Sequence, residues 1–287
     1  MTTPGDLAEL VRAPAALTVL GDTLVGAASA RGSVGARGVA LSASSACIYL
    51  AGMALNDYAD ADLDAVERPE RPIPSGRVSR EMALGVGAGL TAAGIGLAFG
   101  AGRAHGRVSL ALAASVWAYD LLAKSTPAGP PVMAVCRGLD VLMGAAGPGW
   151  RRALLPAGLL AVHTGAVTTV SMGEVHGTSS ALASGAAAVT VGTAATIPFG
   201  AREGATAGAI VGAAVYAGSV LPPQLDAARE PTAANARTAT RQGIRGMVPL
   251  QTALVARTGH AAGTAVLLAV QGVSRLIARA RTKGDVT

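Results

Sequence analysis

Asn56-Asp57-Tyr58-Ala59-Asp60-Ala61-Asp62-Leu63-Asp64-Ala65-Val66-Glu67-Arg68-Pro69-Glu70-Arg71-Pro72-Ile73-Pro74-Ser75-Gly76 follows an apolar run ending at Leu55 and carries six of the chain's 17 acidic residues. If a helix continues past Asn56, side chains advance about 100° per residue. With Asn56 at zero, Asp60 falls at about 40°, Asp64 at about 80° and Asp57 at about 100°, whereas Asp62 falls at about 240°. Four oxygen-bearing side chains therefore share one face over two turns, and Asp62 points elsewhere. Carboxylates at this spacing repel one another unless a cation sits among them. Hard divalent cations take oxygen ligands and leave room for water and substrate phosphates. The stretch reads as a metal–diphosphate site at a membrane boundary.

The rest of the chain supplies the membrane. Of 287 residues, 51% are apolar and only 14% charged, against about 25% charged in soluble domains, and the mean hydropathy is +0.46. The 38 glycines are nearly twice the usual share of about 7% and suit close helix packing. A bilayer-spanning helix needs about 20 apolar residues. Nine runs qualify, at 8–29, 36–56, 79–101, 107–123, 130–146, 152–172, 180–199, 204–221 and 246–274. They are too long and too uniformly apolar for strands. The expectation is an all-α polytopic bundle of about nine transmembrane helices in one domain, 1–287. Loops 57–78 and 222–245 are long and lie on one side, where function concentrates.

Arginines and lysines nearly balance across the two faces, with Arg31, Arg275, Arg279, Arg281 and Lys283 on the face opposite Asp57, so charge bias does not orient the chain. The net charge of +6 suits anionic lipid heads or phosphorylated substrates. No basic patch with interleaved aromatics points to nucleic acid. The first residues, with Asp6 and Glu9 in place of a basic region, do not read as a cleaved signal. Cys47 and Cys136 lie in apolar runs, and His105, His163 and His260 stand singly without ligand spacing.

Ionisable residues inside spans cost about 2.5–3.5 kcal/mol each, which singles out Asp22, Arg137 and Asp140. Arg137 and Asp140, at i and i+3, read either as a self-satisfied ion pair or as the lining of a polar cavity. Tyr119, Asp120 and Lys124 close the fourth span on the Asp57 side, and Lys124 reads as a diphosphate-binding cation or a snorkelling boundary lysine. Glu174, with His176 and Thr178 nearby, ends the sixth span on that side as a further metal ligand or a solvated turn.

The spacing Asn56-Asp57-x-x-Asp60-x-x-x-Asp64 resembles the first aspartate-rich motif of the UbiA superfamily of intramembrane prenyltransferases. Arg71-Pro72-Ile73-Pro74-Ser75-Gly76 resembles that family's R-P-[IL]-P-S-G segment. Segments 174–177 and 245–251 are similar to the EboC-like branch. The resemblance implies Mg²⁺-dependent ionisation of an isoprenyl diphosphate and attack by a small acceptor on the allylic cation. It would place Asn56, Asp57, Asp60, Asp64 and Glu174 around metal, and Arg68, Arg71 and Lys124 on diphosphate oxygens. Asp60, Asp64 and Lys124 would carry catalysis. Asp22, Tyr119, Asp120, Arg137, Asp140 and His176 would line the acceptor side or cavity. The expected place is an integral membrane protein of the plasma membrane with its site facing the cytoplasm. One departure concerns the second motif, D-x-x-x-D, where this chain offers Glu174 and Thr178. Two alternatives stand beside transfer: a terpene cyclase on the same fold, for which eight aromatic residues are few, and a non-enzymatic transporter.

Overall fold

Runs of Ala, Leu, Val and Gly that must satisfy every backbone group inside a bilayer can do so as helices. The computed structural model describes residues 2–12, 19–31 and 35–284, with the backbone alone beyond Gly272, and among the described residues it is all-helical. In order the helices are α1 (Pro4–Leu10), α2 (Leu20–Arg31), α3 (Ala36–Ala59), α4 (Ala61–Glu67), α5 (Arg80–Ala101) and α6 (Arg103–Ala118). A π-helical turn, Tyr119–Ala123, extends α6. Then come α7 (Gly129–Ala145), α8 (Leu154–Ser171), α9 (Ser180–Thr196), α10 (Thr206–Arg229), α11 (Ala233–Arg245), α12 (Met247–Ala256) and α13 (Ala261–Gly284).

Among the described residues α3, α5, Trp150–Ser171 and α10 are each long and apolar enough to cross a bilayer. In the other five expected runs the described residues are largely helical too, in keeping with a polytopic bundle of about nine segments. Exposed apolar side chains such as Phe99, Leu110, Val162, Val211 and Leu268 face outward, as lipid requires. Residues 13–18 of the expected first run lie outside the described residues, as do the side chains of Arg31, Arg275, Arg279, Arg281 and Lys283.

Three expected boundaries move. The last run divides at 257–260, where Gly259 takes φ +73°. The long loop at 222–245 is helical instead: α10 continues through Pro222 and Pro223, and α11 fills the remainder. Prolines inside membrane helices are tolerated because neighbouring groups satisfy the freed carbonyls. Loop 57–78 likewise contains α4, because α3 runs to Ala59 and restarts after one residue, Asp60, at φ −91° and ψ 4°.

Small residues set the closest helix pair. A Cβ on Gly26 would meet the Val141 carbonyl at 2.0 Å, and one on Gly144 would meet the Thr23 carbonyl at 2.2 Å. α2 and α7 therefore touch backbone to backbone, which carries Asp22 beside Arg137. One core joins α2, α7, α8, α10 and α12 around Leu160, Tyr216 and Leu250. A second joins α3, α5, α6 and α7 around Leu41, Ile48 and Met143.

Candidate functional site

Residues 45, 48, 49, 52, 53 and 56 of α3 form one helical stripe, and all six line a cavity of about 210 Å³. Leu112, Val116, Tyr119 and Asp120 from α6 and its π turn face them, with Met133, Cys136, Arg137 and Asp140 from α7. Arg12 and Val19 complete the wall. The cavity has an apolar waist and two polar ends. Gly52 allows the close approach of α6: a Cβ there would lie 3.1 Å from Val116 Cγ1 and 3.3 Å from Asp120 Oδ2.

At the mouth, charges alternate. The Asn56 side-chain amide donates to Asp120 Oδ1 at 3.5 Å. Lys124 Nζ lies 2.6 Å from Asp60 and donates to the Asn56 carbonyl at 3.3 Å. Arg12 reaches Asp57 at 2.7 Å, and Arg71 bridges Asp57 at 3.3 Å and Asp64 at 2.6 Å. Arg68 stands farther off, 4.0 Å from Asp64. Asp57, Asp64 and Asp120 are buried, so these three carboxylates are largely out of water, whereas Asp60 is half-buried beside Lys124. Asp62 points away as its helical angle requires, 88% exposed and 3.3 Å from Arg80.

The 68–79 loop aims Arg71 inward by folding on itself. The Val78 amide donates to the Pro72 carbonyl at 2.9 Å, Ser75 Oγ donates to the Arg71 carbonyl at 2.7 Å, and Gly76 turns at φ +73°. Arg77 then fastens α1 over the loop, reaching Asp6 at 2.8 Å, Glu9 at 2.6 Å and the Glu70 carbonyl at 2.7 Å. Hydrogen bonds from Thr3, then Arg77, hold the Asp6 carboxyl down at about 2, and Glu9 and Asp6 push the Arg77 guanidinium up.

The structure thus gathers Asn56, Asp57, Asp60, Asp64, Arg68, Arg71, Lys124, Tyr119 and Asp120 at one end. Among the described residues, however, no three His, Cys, Asp or Glu side chains converge as a metal set; the carboxylates face cations. Glu174 and His176 do not join them. They sit on the turn after α8, where Arg237 donates to the Glu174 carbonyl at 2.6 Å and the Thr178 amide to the Pro231 carbonyl at 3.1 Å. Neither lines the cavity.

The self-satisfied Arg137–Asp140 pair is not formed. Arg137 pairs with Asp22 on α2, whose second oxygen accepts from Gln251 at 2.8 Å, while Asp140 accepts from Ser45 at 2.6 Å. Sequence reasoning missed Arg12, Ser45 and Gln251. Arg12 was findable, because an arginine inside an apolar run is the same signal that marks Asp22. Ser45 carries no such signal.

A family model described as the UbiA prenyltransferase family matches residues 19–225. Over 95 residues the chain is 46% identical to a digeranylgeranylglyceryl phosphate synthase of Ignicoccus hospitalis, covering 32% of this chain and 31% of that protein. Over 133 residues it is 39% identical to the Methanopyrus kandleri protein of the same name, covering 45% and 46%. The chain thus spans a third to a half of the length of these relatives, and neither bears the name of the EboC-like branch. A structure reported for digeranylgeranylglyceryl phosphate synthase in membranes superposes with TM-score 0.64 at 16% identity, covering 88% of this chain and 98% of that one. A UbiA homolog from Archaeoglobus fulgidus bound to DMAPP and Mg²⁺ superposes with TM-score 0.60 at 13% identity, covering 86% and 99%. At these identities the likeness is one of fold.

Proposed function

Because the chain belongs to the UbiA prenyltransferase family, we propose that it ionises an isoprenyl diphosphate with Mg²⁺ and transfers the prenyl group to a small acceptor inside the membrane. The observation that carries this reading is the alternation of buried and half-buried carboxylates with Arg12, Arg71 and Lys124 at the mouth of an apolar cavity.

The donor set fits a hard cation, since it offers only oxygens from carboxylates and one amide. Asn56, Asp57, Asp60 and Asp64 would hold Mg²⁺, with Asp120 alongside. When bound, the ion neutralises charge developing on the departing diphosphate. Arg71, Arg12 and Lys124 bind phosphate oxygens from fixed positions, with Arg68 at the solvent edge. Ile48, Leu112, Val116 and Met133 line the waist and keep water from the allylic cation. Glu174, held on the α11 side, is left out of this set. Among the described residues only Tyr49 and Tyr119 bring aromatic rings to the cavity, which favours transfer over cyclisation. The relatives' name suggests a glyceryl phosphate lipid as the first acceptor to try. The site end faces the cytoplasm in this reading, and the membrane is the plasma membrane.

The test is pyrophosphate release from a panel of prenyl diphosphates with and without acceptors, followed by mass spectrometry of extracted products. Release that requires Mg²⁺ and acceptor is expected. A cyclic product formed without acceptor, or release unaffected by chelation, would overturn the reading.

A further inference from the structure

Arg77 uses its whole donor set outside the cavity. Its Nε donates to Ser75 Oγ at 3.0 Å, Nη1 to Asp6 at 2.8 Å and Glu9 at 2.6 Å, and Nη2 to Glu9 at 3.0 Å and the Glu70 carbonyl at 2.7 Å. A guanidinium has five N–H groups, so all are engaged, although the residue is only half-buried and does not line the cavity. Its own carbonyl accepts from Thr2 Oγ1 at 2.8 Å. Among the described residues, each hydrogen bond or ion pair from residues 2–12 to the rest of the chain ends on Arg77 or is made by Arg12. Arg12 closes the last turn of α1: its amide donates to the Glu9 carbonyl at 3.0 Å, and its backbone takes φ +47°. A residue other than glycine holds that left-handed conformation only where its surroundings impose it. Here they are Leu10, fully buried against Ala54, Val78 and Ala83, and Arg77 on Asp6 and Glu9.

From that turn Arg12 reaches Asp57 Oδ1 at 2.7 Å, the same oxygen that Arg71 approaches at 3.3 Å. The two arginines differ in what holds them. Arg71 sits in a loop closed by its own backbone bonds, Ser75 to Arg71, Gly76 to Ile73 and Val78 to Pro72. Arg12 depends on α1, and α1 depends on Arg77. We propose that Arg77 is a positioning residue for the donor: it latches α1 to the 68–79 loop and so sets the Arg12 guanidinium where it takes a phosphate oxygen. The proposal rests on the reading of the mouth as the diphosphate site. Arg77 touches no donor atom; its effect passes through Arg12 and leaves Arg71 and Lys124 in place. Because the latch lies outside the mouth, Arg12 keeps its position when metal takes Asp57.

A double-mutant cycle on the full chain in detergent tests this, with Mg²⁺-dependent binding of geranylgeranyl diphosphate read by isothermal titration calorimetry. Arg12→Gln and Arg77→Gln are each expected to weaken binding about tenfold or more, the scale of one hydrogen bond to a charged group. The double variant is expected to bind within about twofold of Arg12→Gln, because the latch then has nothing left to position. A purely structural role would lower the unfolding temperature or the number of competent sites, and any loss of affinity would be equal in both backgrounds. Should Arg77→Gln fail to fold, Glu9→Ala decides, since it removes two of the five bonds from an exposed position. It is expected to weaken binding about threefold or more, again only while Arg12 is present. Wild-type affinity in Arg77→Gln, or in Glu9→Ala where that variant decides, or a loss of equal size with and without Arg12, would overturn the positioning role alone. A wild type that shows no Mg²⁺-dependent binding would instead overturn the reading of the mouth, and the proposal with it.

Discussion

Replacing Arg71 by alanine separates the two jobs assigned to the mouth. The guanidinium is 19% exposed and lies 2.6 Å from Asp64 and 3.3 Å from Asp57, both of which are buried. Removing one partner of a buried pair typically costs about 3–5 kcal/mol, because a charge is left uncompensated. Arg12 still holds Asp57, and Arg68 is 4.0 Å from Asp64, so the lower end, about 3 kcal/mol, applies. That is about two decades in the folding constant. The same deletion frees Asp64 and loosens Asp57 for metal, so Mg²⁺ should stabilise the variant more than the wild type. At about 100 times its dissociation constant a ligand adds about 2.7 kcal/mol, enough to restore most of the loss. Turnover moves the other way, since a lost oxyanion contact costs about 10²–10³-fold. Thermal unfolding in detergent with and without Mg²⁺, beside pyrophosphate release, reads all three. A variant that unfolds at the wild-type temperature would refute the clamp. One that Mg²⁺ protects no more than the wild type would refute the metal assignment.

Asp60→Ala and Asp64→Ala should abolish pyrophosphate release in a folded protein, whereas Asp62→Ala should stay within about twofold, since an exposed pair is worth about 0–1 kcal/mol; equal losses at Asp62 and Asp60 would break the facial argument. Gly144→Ala should lower stability by about 1–3 kcal/mol, because its Cβ would sit 2.2 Å from the Thr23 carbonyl, and a wild-type unfolding temperature would show that α2 and α7 do not touch there. The docking of α1 should be acid-sensitive. Asp6 sits below the ordinary aspartate value of about 3.9, at about 2, so its contribution is complete above about pH 4 and is lost as pH falls through about 2. Hydrogen exchange of residues 2–12 checks this, and Thr3→Ala should move the loss to higher pH.

What the sequence made legible is what is local along it. The nine apolar runs were readable from length and hydropathy, and the helical angle alone separated Asp62 from Asp57 and Asp64. That separation survives the break at Asp60 because backbone amides 60, 64 and 68 still donate to carbonyls 56, 60 and 64. Glu174 was placed by side of the membrane alone, and side is too coarse. Its turn is captured by α11 through Arg237, a contact across 63 residues of chain.

Arg137 shows why partners inside a membrane escape local rules. Spacing i, i+3 puts Asp140 within reach, yet the order is basic before acidic, the weaker one on a helix. The glycines at 26 and 144 remove the side chains that would hold α2 away, and Asp22 arrives with Gln251 already bonded to it. The guanidinium therefore pairs across helices with Asp22, and Asp140 turns instead to Ser45 on α3. Of the two readings the sequence left open, the lining of a polar cavity is the one the structure takes.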